Sequence, residues 1–339
     1  MDLLVMGSGG FGVALAVMAH NQCGLSVRMW TPFAEEATML RNKREHEKLL
    51  PGIRIPDAIE VTNDLGKLSG CRLAVIATPS FAVRETAVRL KGILPDGVPV
   101  ACVSKGIESD TFKTHTAIIG EELPQNIPVI ISGPSHAEEV ARGIPSTVVA
   151  ASRNRACAEL VQDMLMNESL RIYTSDDVLG VELGGALKNV IALSAGVLDG
   201  LGVGGDNTRA ALMTRGITEI ARLGVALGAK SETFGGLSGI GDLIVTCSSA
   251  HSRNRRFGIL IGRGNSVEES LREVGMTVEG YPCAKTAWEL SRKSRVYMPI
   301  VTEAYEVLYL GKKPLDGIRD LMGRPKRHES ESVWLLTRE

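Results

Sequence analysis

The 339-residue sequence lacks the features that mark disulfide-bonded, metal-binding and membrane-spanning proteins. Its six cysteines include no Cys-x-x-Cys pair, which is the spacing typical of zinc sites and redox motifs. Scattered cysteines favour reduced thiols over disulfides, and we expect no metal site. No apolar run approaches the ~18 residues of a membrane span, and no basic segment with a long apolar stretch opens the chain. We therefore expect a cytoplasmic protein without membrane insertion.

The sequence also lacks an excess of charge of either sign. Its 38 basic and 39 acidic residues give a net charge of -1. A balanced surface offers no global field for nucleic acid or for an anionic membrane. We expect a small-molecule ligand, and the sequence leaves a homodimer open. The length favours two domains over one.

A glycine-rich turn follows the first apolar run. Residues 3–6 are apolar, and residues 7–12 read Gly-Ser-Gly-Gly-Phe-Gly before a helical pattern. This order of strand, turn and helix is typical of dinucleotide-binding folds, in which Gly7 would form the turn, Gly9 would admit a pyrophosphate and Gly12 would allow close packing. A purely structural turn is the alternative.

The acidic residue that usually holds the adenosine ribose is missing from its expected place. It is sought about 20 residues after the glycines, at the end of the second strand. The chain there reads Trp30, Thr31, Pro32 and Phe33, and the first acid is Glu35. Without a carboxylate or a guanidinium at this turn, we expect both NAD and NADP to be accepted, although a group elsewhere could change the balance.

Strand and helix patterns alternate through the first half of the chain only. Apolar runs predict strands at 3–6, 25–30, 73–77, 99–103, 129–131, 147–151 and 170–173. Helical patterns cover 34–48 and 155–166, and Pro51, Gly52 and Pro56 indicate a loop. Later signals are helical, at 176–198, 207–227, 253–261, 266–274, 284–293 and 299–310. We predict a Rossmann-type, doubly wound α/β domain over 1–175 and an all-α domain over 176–339.

Lys188 lies on a helix face that is otherwise small. Gly184 and Gly185 precede it by four and three residues, and an interior glycine costs up to ~1 kcal/mol against alanine. The pair indicates that something approaches the backbone closely. A ligand is one candidate, and a tightly packed second helix with Lys188 reaching solvent is the other. Lys105 is a further site candidate because it follows a predicted strand end, where ligands bind in open α/β sheets.

Several longer motifs resemble one family. They are Ser-Gly-Pro-Ser-His-Ala at 132–137, Val-Glu-Leu-Gly-Gly-Ala-Leu-Lys-Asn-Val at 181–190, Thr-Arg-Gly at 214–216, Leu-Ser-Gly-Ile-Gly-Asp-Leu at 237–243 and Ser-Arg-Asn-Arg-Arg-Phe-Gly at 252–258. In order and spacing they are similar to the signatures of bacterial NAD(P)-dependent sn-glycerol-3-phosphate dehydrogenases. The resemblance extends from the glycine turn to about residue 323.

The resemblance implies reduction of dihydroxyacetone phosphate to sn-glycerol 3-phosphate, which feeds glycerophospholipid synthesis. It implies that Lys188 is the general acid/base, with Arg253 and Asn254 at the substrate phosphate. The substrate-binding residues that it implies are Lys105, Gly133, Ser135, Lys188, Asp242, Ser252, Arg253 and Asn254. The cofactor-binding residues that it implies, together with the glycine turn, are Gly7, Gly9, Gly10, Phe11, Gly12, Lys105, Ala137, Arg253, Thr277 and Glu279.

The chain departs from the family pattern at a few positions beside the cofactor. Gly10 and Phe11 stand where the family usually has a serine and an indole or phenol ring, and Thr277 stands where a valine is common. Pro32 replaces a basic or imidazole side chain that often follows the second strand. Two other functions are kept as alternatives. One is a related β-hydroxyacid dehydrogenase, such as a 6-phosphogluconate enzyme, and the other is a non-catalytic NAD(P)-binding sensor, which would need no proton donor.

Overall fold

The structure is a computed structural model that describes residues 1–326 and residue 329. The chain divides into two compact units. The first comprises Met1–Ser104 and Lys113–Val178, and the second comprises Lys105–Phe112 and Leu179–Glu339. The second unit therefore takes in a short segment, residues 105–112, that is far in sequence from its other residues.

The first unit alternates strands and helices. Its strands are β1 (Leu3–Met6), β2 (Val27–Trp30), β3 (Glu45–His46), β4 (Leu50–Arg54), β5 (Glu60–Thr62), β6 (Leu73–Ile76), β7 (Pro99–Cys102), β8 (Ile127–Ser132), β9 (Ser146–Ala151) and β10 (Leu170–Ser175). Its helices are α1 (Gly10–Cys23), α2 (Ala34–Lys43), α3 (Val83–Arg89), α4 (His115–Glu122), α5 (Ala137–Ala141) and α6 (Arg155–Leu165), with short 3₁₀ turns at Leu65–Lys67 and Ser80–Ala82.

Eight of these strands form one sheet in the order β10-β9-β8-β7-β6-β1-β2-β5. Every neighbouring pair is parallel except β8 and β9. All four residues of β1, β6 and β7 are buried, as expected for strands covered by helices on both faces. Because β1 pairs with β2 on one side and with β6 on the other, the chain changes direction across the sheet at β1. Ligands of open α/β sheets bind beside such a strand. The predicted doubly wound fold is confirmed.

Two predictions for residues 34–56 are wrong. The helix ends at Lys43 because Arg44 adopts the left-handed conformation (φ 51°). The chain then forms the antiparallel hairpin β3–β4, so the segment around Pro51 and Gly52 is a strand and not a loop. The hairpin is a separate two-stranded sheet, where a proline removes no hydrogen bond from the main sheet. The short strand β5 was also not predicted.

The second unit is helical. Its helices are α7 (Val178–Gly200), α8 (Asp206–Ala226), α9 (Ser231–Phe234), α10 (Asp242–Ser248), α11 (Arg253–Gly262), α12 (Val267–Val274), α13 (Gly280–Lys293), α14 (Pro299–Tyr309) and α15 (Pro314–Met322), with a π turn at Leu237–Gly241 before α10. The sequence predicted six of these helices. It missed α9, α10 and α15, and the first two, with four and seven residues, are too short to give a periodic signal.

Helix α7 is the centre of this unit. It is long and apolar enough to cross a membrane, but 83% of its most apolar window is buried inside the protein. Its apolar side chains, among them Leu187 and Ile191, pack in one cluster with residues of α8 and α10 to α14. It is therefore a core helix. At the start of α12, Ser266 and Glu269 bond reciprocally in a capping box.

Candidate functional site

Lys188 lies in the interior of the second unit, paired with a carboxylate. Its side chain is 6% exposed, and its Nζ donates hydrogen bonds to Asp242 Oδ1 and, at 2.7 Å, to Thr246 Oγ1. Asp242 is 1% exposed and is the first residue of α10. The interpretation that Lys188 reaches solvent is therefore wrong. A buried charge is retained only with a partner, and Asp242 is that partner.

Lys105 shares the same carboxylate. Its Nζ donates to Asp242 Oδ2 at 2.7 Å, and its side chain is 20% exposed. Residues 105–112 belong to the helical unit, so this lysine lies with Lys188 although 83 residues separate them in the chain. Asp242 thus bridges two ammonium groups, one buried and one partly exposed. This brings together three residues that the sequence predicted for the substrate site.

For both Lys188 and Asp242, burial and the charge of the ion-pair partner shift the pKa in opposite directions. Burial lowers the pKa of Lys188 from 10.5 to about 7; the Asp242 carboxylate opposes this shift, and the Lys105 cation adds to it. For Asp242, burial acts to raise the pKa, but the cations of Lys105 and Lys188 lower it below its usual value. Asp242 is therefore ionised at neutral pH. Lys188 can give up and regain a proton near pH 7, which is what a general acid/base requires.

The glycines before Lys188 allow helix α7 to pack closely. A Cβ at Gly184 would lie 2.5 Å from the backbone oxygen of Ser238, in the π turn that leads into α10. Real Cβ atoms do not approach an oxygen so closely, so a larger residue would push that turn and Asp242 away from α7. At Gly184 the close neighbour is therefore the protein itself, not a ligand.

The N-terminus of α11 forms the second part of the site. Ser252 caps this helix, because its Oγ accepts from the N–H of Arg255 at 3.2 Å. Arg253 is the first helical residue and is exposed. A helix N-terminus carries a partial positive charge, and an exposed guanidinium beside it is suited to a phosphate. Ser252 is 4% exposed and has a clear structural role, so its expected substrate contact stays a prediction.

Asn254 connects this helix end to the lysine helix. Its Nδ2 donates to Asn189 Oδ1 at 2.9 Å, and its Oδ1 accepts from the N–H of Gly280 at 2.8 Å. Asn189 follows Lys188 directly. Gly280 starts α13, and Glu279 is the residue before it. The amide of Asn254 therefore holds three elements in register, which sequence reasoning did not foresee.

Two predicted cofactor residues, Thr277 and Glu279, lie just before α13. Both are partly exposed. The bond between Asn254 and Gly280 brings this segment beside the start of α11 and hence beside the residue that precedes Asn254, Arg253. The structure thus places Glu279, the residue before Gly280, near the start of α11, and the cofactor contacts of Thr277 and Glu279 stay predictions.

The glycine turn of the first unit has the predicted form. Gly7 adopts φ +124°, and a Cβ there would lie 2.6 Å from the Ala77 oxygen. A Cβ at Gly12 would lie 2.2 Å from the Gly7 oxygen, so this glycine lets α1 pack on the turn. A Cβ at Gly9 would meet nothing within 4 Å. The second glycine therefore faces open space at the start of α1.

The start of α1 fits a bound anion. Gly9 is its N-cap, and no side chain caps the helix or places an acid in its first turn. The exposed N–H groups and the helix dipole favour a phosphate there. Phe11 is partly buried in the apolar core of this unit. A Cβ built on Gly10 would lie 3.9 Å from the Ala137 side chain, so these two predicted cofactor residues are neighbours.

Two strand ends of this sheet carry buried hydroxyl groups without partners, one on β6 beside β1 and one on β8, two strands further away. Thr78 Oγ1 and Ser132 Oγ are buried and have no hydrogen-bond partner within residues 1–326. Thr78 follows β6, and Ser132 ends β8. Buried hydroxyls without a partner are costly, and a nucleotide bound at the glycine turn would supply an acceptor for Thr78, whose backbone adjoins Gly7. The residues present therefore fit a dinucleotide.

Gly133 and Ser135 follow β8 directly. Gly133 adopts φ +137°, and a Cβ there would come within 3.0 Å of Val148 Cα, so only glycine suits this position. Ser135 Oγ donates to the Gly133 oxygen at 3.0 Å, which holds the turn. The turn geometry is clear, and the substrate contacts of both residues stay predictions.

A separate cavity of about 180 Å³ lies among α7, α8, α14 and α15. It is lined mainly by apolar side chains such as Leu193, Val197 and Leu212. On α7 its lining begins at Leu193, more than one turn beyond Lys188. The proton-donating cluster of Lys188 and Asp242 is therefore not part of this cavity.

Comparison with known proteins gives a consistent result for both halves of the chain. Residues 2–158 match the family model of the NAD-dependent glycerol-3-phosphate dehydrogenase N-terminus, and residues 177–319 match that of its C-terminus. The chain belongs to the NAD-dependent glycerol-3-phosphate dehydrogenase family. It is therefore an oxidoreductase, and this result favours the first functional interpretation over a 6-phosphogluconate-type enzyme.

Individual relatives agree with this assignment. A glycerol-3-phosphate dehydrogenase [NAD(P)+] of Moorella thermoacetica is 52% identical over 332 residues, which cover 98% of each chain. One of Desulfitobacterium hafniense is 48% identical and covers 99% of this chain and 95% of its own. The crystal structure of glycerol-3-phosphate dehydrogenase from Coxiella burnetii has a TM-score of 0.91 at 33% identity, covering 95% of this chain and 99% of that one.

Sequence reasoning missed two members of the site. Thr246 accepts from Lys188 and donates to the Asp242 backbone oxygen at 2.6 Å, and Asn189 positions Asn254. Thr246 lies four residues after Asp242, so a helix over 242–248 would have placed both on one face. That helix was not predicted. Asn189 could have been found as the polar neighbour of Lys188 on the same predicted helix.

Proposed function

We propose that this chain catalyses the reversible, NAD(P)H-dependent reduction of dihydroxyacetone phosphate to sn-glycerol 3-phosphate. The observation that carries the mechanism is the buried Lys188, whose bond to Asp242 and pKa of about 7 suit it to proton transfer. The glycine turn, the uncapped start of α1 and the hydroxyls without partners support a dinucleotide cofactor.

A nicotinamide dinucleotide held at the glycine turn of residues 7–12 would supply the hydride that reduces the C2 carbonyl. Lys188 donates the proton that the C2 oxygen needs as the carbonyl becomes an alcohol. Asp242 orients the ammonium group and stabilises its charged form, while Lys105 keeps Asp242 ionised. In the reverse direction, neutral Lys188 accepts the proton from the alcohol.

The phosphate of the substrate is bound at the start of α11 in this proposal. Arg253 pairs with it through charge-assisted hydrogen bonds, and the helix N–H groups contribute. Asn254 acts mainly by fixing this helix end to the lysine helix and to α13, because both atoms of its amide already have protein partners. The phosphate site is thus held at a constant distance from the proton donor.

The remaining assignments are part of the same proposal. Residues 1–175 would bind the cofactor and residues 176–339 the substrate. Gly133 and Ser135 would also contact the substrate, and Ala137 would contact the cofactor. We propose a cytoplasmic enzyme that feeds glycerophospholipid synthesis without binding nucleic acid or inserting into a membrane. A homodimer stays a prediction that sedimentation can test.

The direct test is oxidation of NADH and NADPH by the purified chain with dihydroxyacetone phosphate. We expect turnover with at least one cofactor and formation of sn-glycerol 3-phosphate. Matched reactions would use unphosphorylated dihydroxyacetone, which lacks the group that Arg253 recognises, and 6-phosphogluconate with the oxidised cofactor. Equal efficiency with dihydroxyacetone, or turnover of 6-phosphogluconate alone, would overturn the proposal.

A further inference from the structure

A carboxylate lies beside the glycine turn although the second strand ends without one. Glu36 lies in the first turn of α2. Its Oε1 accepts a hydrogen bond from the hydroxyl of Ser8, the residue between Gly7 and Gly9. The contact brings an acidic group to the turn that is shaped for a dinucleotide.

The topology explains how a helix residue reaches this place. Strands β1 and β2 are parallel neighbours with Met6 opposite Trp30, and the N–H of Gly7 donates to the Trp30 oxygen at 2.8 Å. The segments that follow the two strands therefore run side by side. An acid at the end of β2 would normally hold the ribose hydroxyl. Here Pro32 and Phe33, which are exposed, occupy the end of β2. The carboxylate is instead that of Glu36, in the first turn of the helix that follows, α2.

The histidine nearest to Glu36 is uncharged at neutral pH. His46 Nε2 is 3.8 Å from Glu36 Oε1, and His46 Nδ1 accepts from the N–H of Leu49 at 3.3 Å. This bond puts the ring proton of neutral His46 on Nε2, facing the carboxylate. Burial lowers the pKa of His46 from 6.5 although Glu36 opposes the shift, so the ring is neutral at pH 7. His46 therefore brings no positive charge to the Glu36 carboxylate.

The basic residues of α2 have partners of their own. Arg41 donates to the Val61 oxygen and to Thr38, and Arg44 donates to the Ile59 oxygen at 2.8 Å. These bonds direct both guanidinium groups to the segment around β5. They are not arranged as a clamp for a ribose phosphate at the glycine turn.

We propose that Glu36 is the residue that determines specificity at the adenosine ribose, accepting from the 2'-hydroxyl of NAD and repelling the 2'-phosphate of NADP. The proposal rests on the proposed function only in that a nicotinamide dinucleotide binds at the glycine turn. The adenosine ribose is joined directly to the pyrophosphate, so it lies next to the turn that binds that group. A carboxylate held by Ser8 is within this region.

The test measures binding without substrate, so that it is independent of the reaction. Dissociation constants for NADH and NADPH would be measured by nicotinamide fluorescence for the wild type, Glu36→Gln and Glu36→Ala. The control is Glu35→Gln, which removes the adjacent, exposed carboxylate of the same helix. Thermal unfolding would verify that each variant is folded.

In Glu36→Gln the amide oxygen can still accept from Ser8 and from a ribose hydroxyl, but the negative charge is gone. We expect NADPH to bind at least fivefold more tightly than to the wild type, while NADH binding weakens by less than threefold. Glu36→Ala should weaken NADH by about tenfold, because a hydrogen bond to a charged group is lost. Glu35→Gln should change both constants by less than twofold.

If the ratio of the two dissociation constants in Glu36→Gln stays within twofold of the wild-type ratio, Glu36 does not read the ribose. Glu36 is also excluded if Glu35→Gln shifts the ratio equally, because the loss of any negative charge on α2 then has the same effect. Loss of reductase activity with unchanged cofactor binding would bear on the proposed reaction instead. The two failures can therefore be told apart.

Discussion

Replacing Asp242 with asparagine should separate the two roles of its carboxylate. One is to stabilise the folded state, and the other is to raise the pKa of Lys188, the proton donor. The side chain is 2% exposed and bonds to Lys188, itself 6% exposed, and to Lys105. Removing one partner of a buried ion pair costs ~3–5 kcal/mol. Lys105 is partly exposed and regains water, so we expect a loss of about 3 kcal/mol in unfolding free energy at pH 7.

The same change should lower the pKa of Lys188 further. In the wild type, burial lowers this pKa to about 7 while the Asp242 carboxylate opposes the shift. Asparagine keeps an oxygen that can accept from Lys188 but loses the charge. We expect a fall of at least about one pH unit, equivalent to ~1.4 kcal/mol between the two protonation states. Above the new pKa, the rate of reduction should fall tenfold for each pH unit.

The assay is the pH profile of kcat for dihydroxyacetone phosphate reduction, with denaturant unfolding measured on the same protein. Wild type should lose activity as pH rises through about 7, and Asp242→Asn should lose it at lower pH. Thr246→Val is the matched control, because it removes a neutral partner of Lys188. An alkaline limb that does not move in Asp242→Asn would refute the assignment of Lys188 as the titrating acid.

Three further predictions follow from other residues. Arg253→Ala should raise the Michaelis constants of both substrate and cofactor, and that of the substrate by more, because each lost charge-assisted hydrogen bond costs ~1.5–3 kcal/mol. An unchanged preference for dihydroxyacetone phosphate over dihydroxyacetone would contradict this. The turn at Thr31 carries no charged group and by itself predicts kcat/KM values for NADH and NADPH within roughly tenfold, while Glu36 should add a preference for NADH; a hundredfold preference for NADPH would contradict both. Burial raises the pKa of Glu219 from 4.5 to about 7, although it accepts bonds from the N–H groups that begin α14. The folded state therefore holds this proton more tightly, and stability should fall by about 3 kcal/mol as pH rises from 4.5 to 7, a slope that Glu219→Gln should reduce in thermal unfolding at pH 5.5 and 8.

The sequence predicts those parts of the fold whose signal is local. Continuous apolar runs identify the buried parallel strands such as Leu73–Ile76, and the glycine turn predicts the start of α1 with its open space at Gly9. The hairpin Glu45–Arg54 was missed because its strands are short and carry proline and glycine. Its pairing depends on the chain reversing at Arg44, which no local pattern indicates.

The chemistry of the site depends on contacts between residues far apart in the chain. Lys188 could be selected as unusual from its helix face, but its burial and its lowered pKa require Asp242, which is 54 residues later. Glu36 directly follows Glu35, the first acidic residue after the second strand, and no sequence pattern distinguishes the two. Only the hydrogen bond with Ser8 shows that the next helical turn supplies the carboxylate.

The most direct test of the account is the turnover number of Lys188→Met with dihydroxyacetone phosphate, measured alongside NADH binding. Methionine keeps much of the length and apolar volume of the side chain but cannot donate a proton. We expect kcat to fall by ~10² to 10⁴ with a cofactor dissociation constant within about twofold of the wild type. A folded variant with wild-type turnover would contradict the claim that Lys188 is the proton donor.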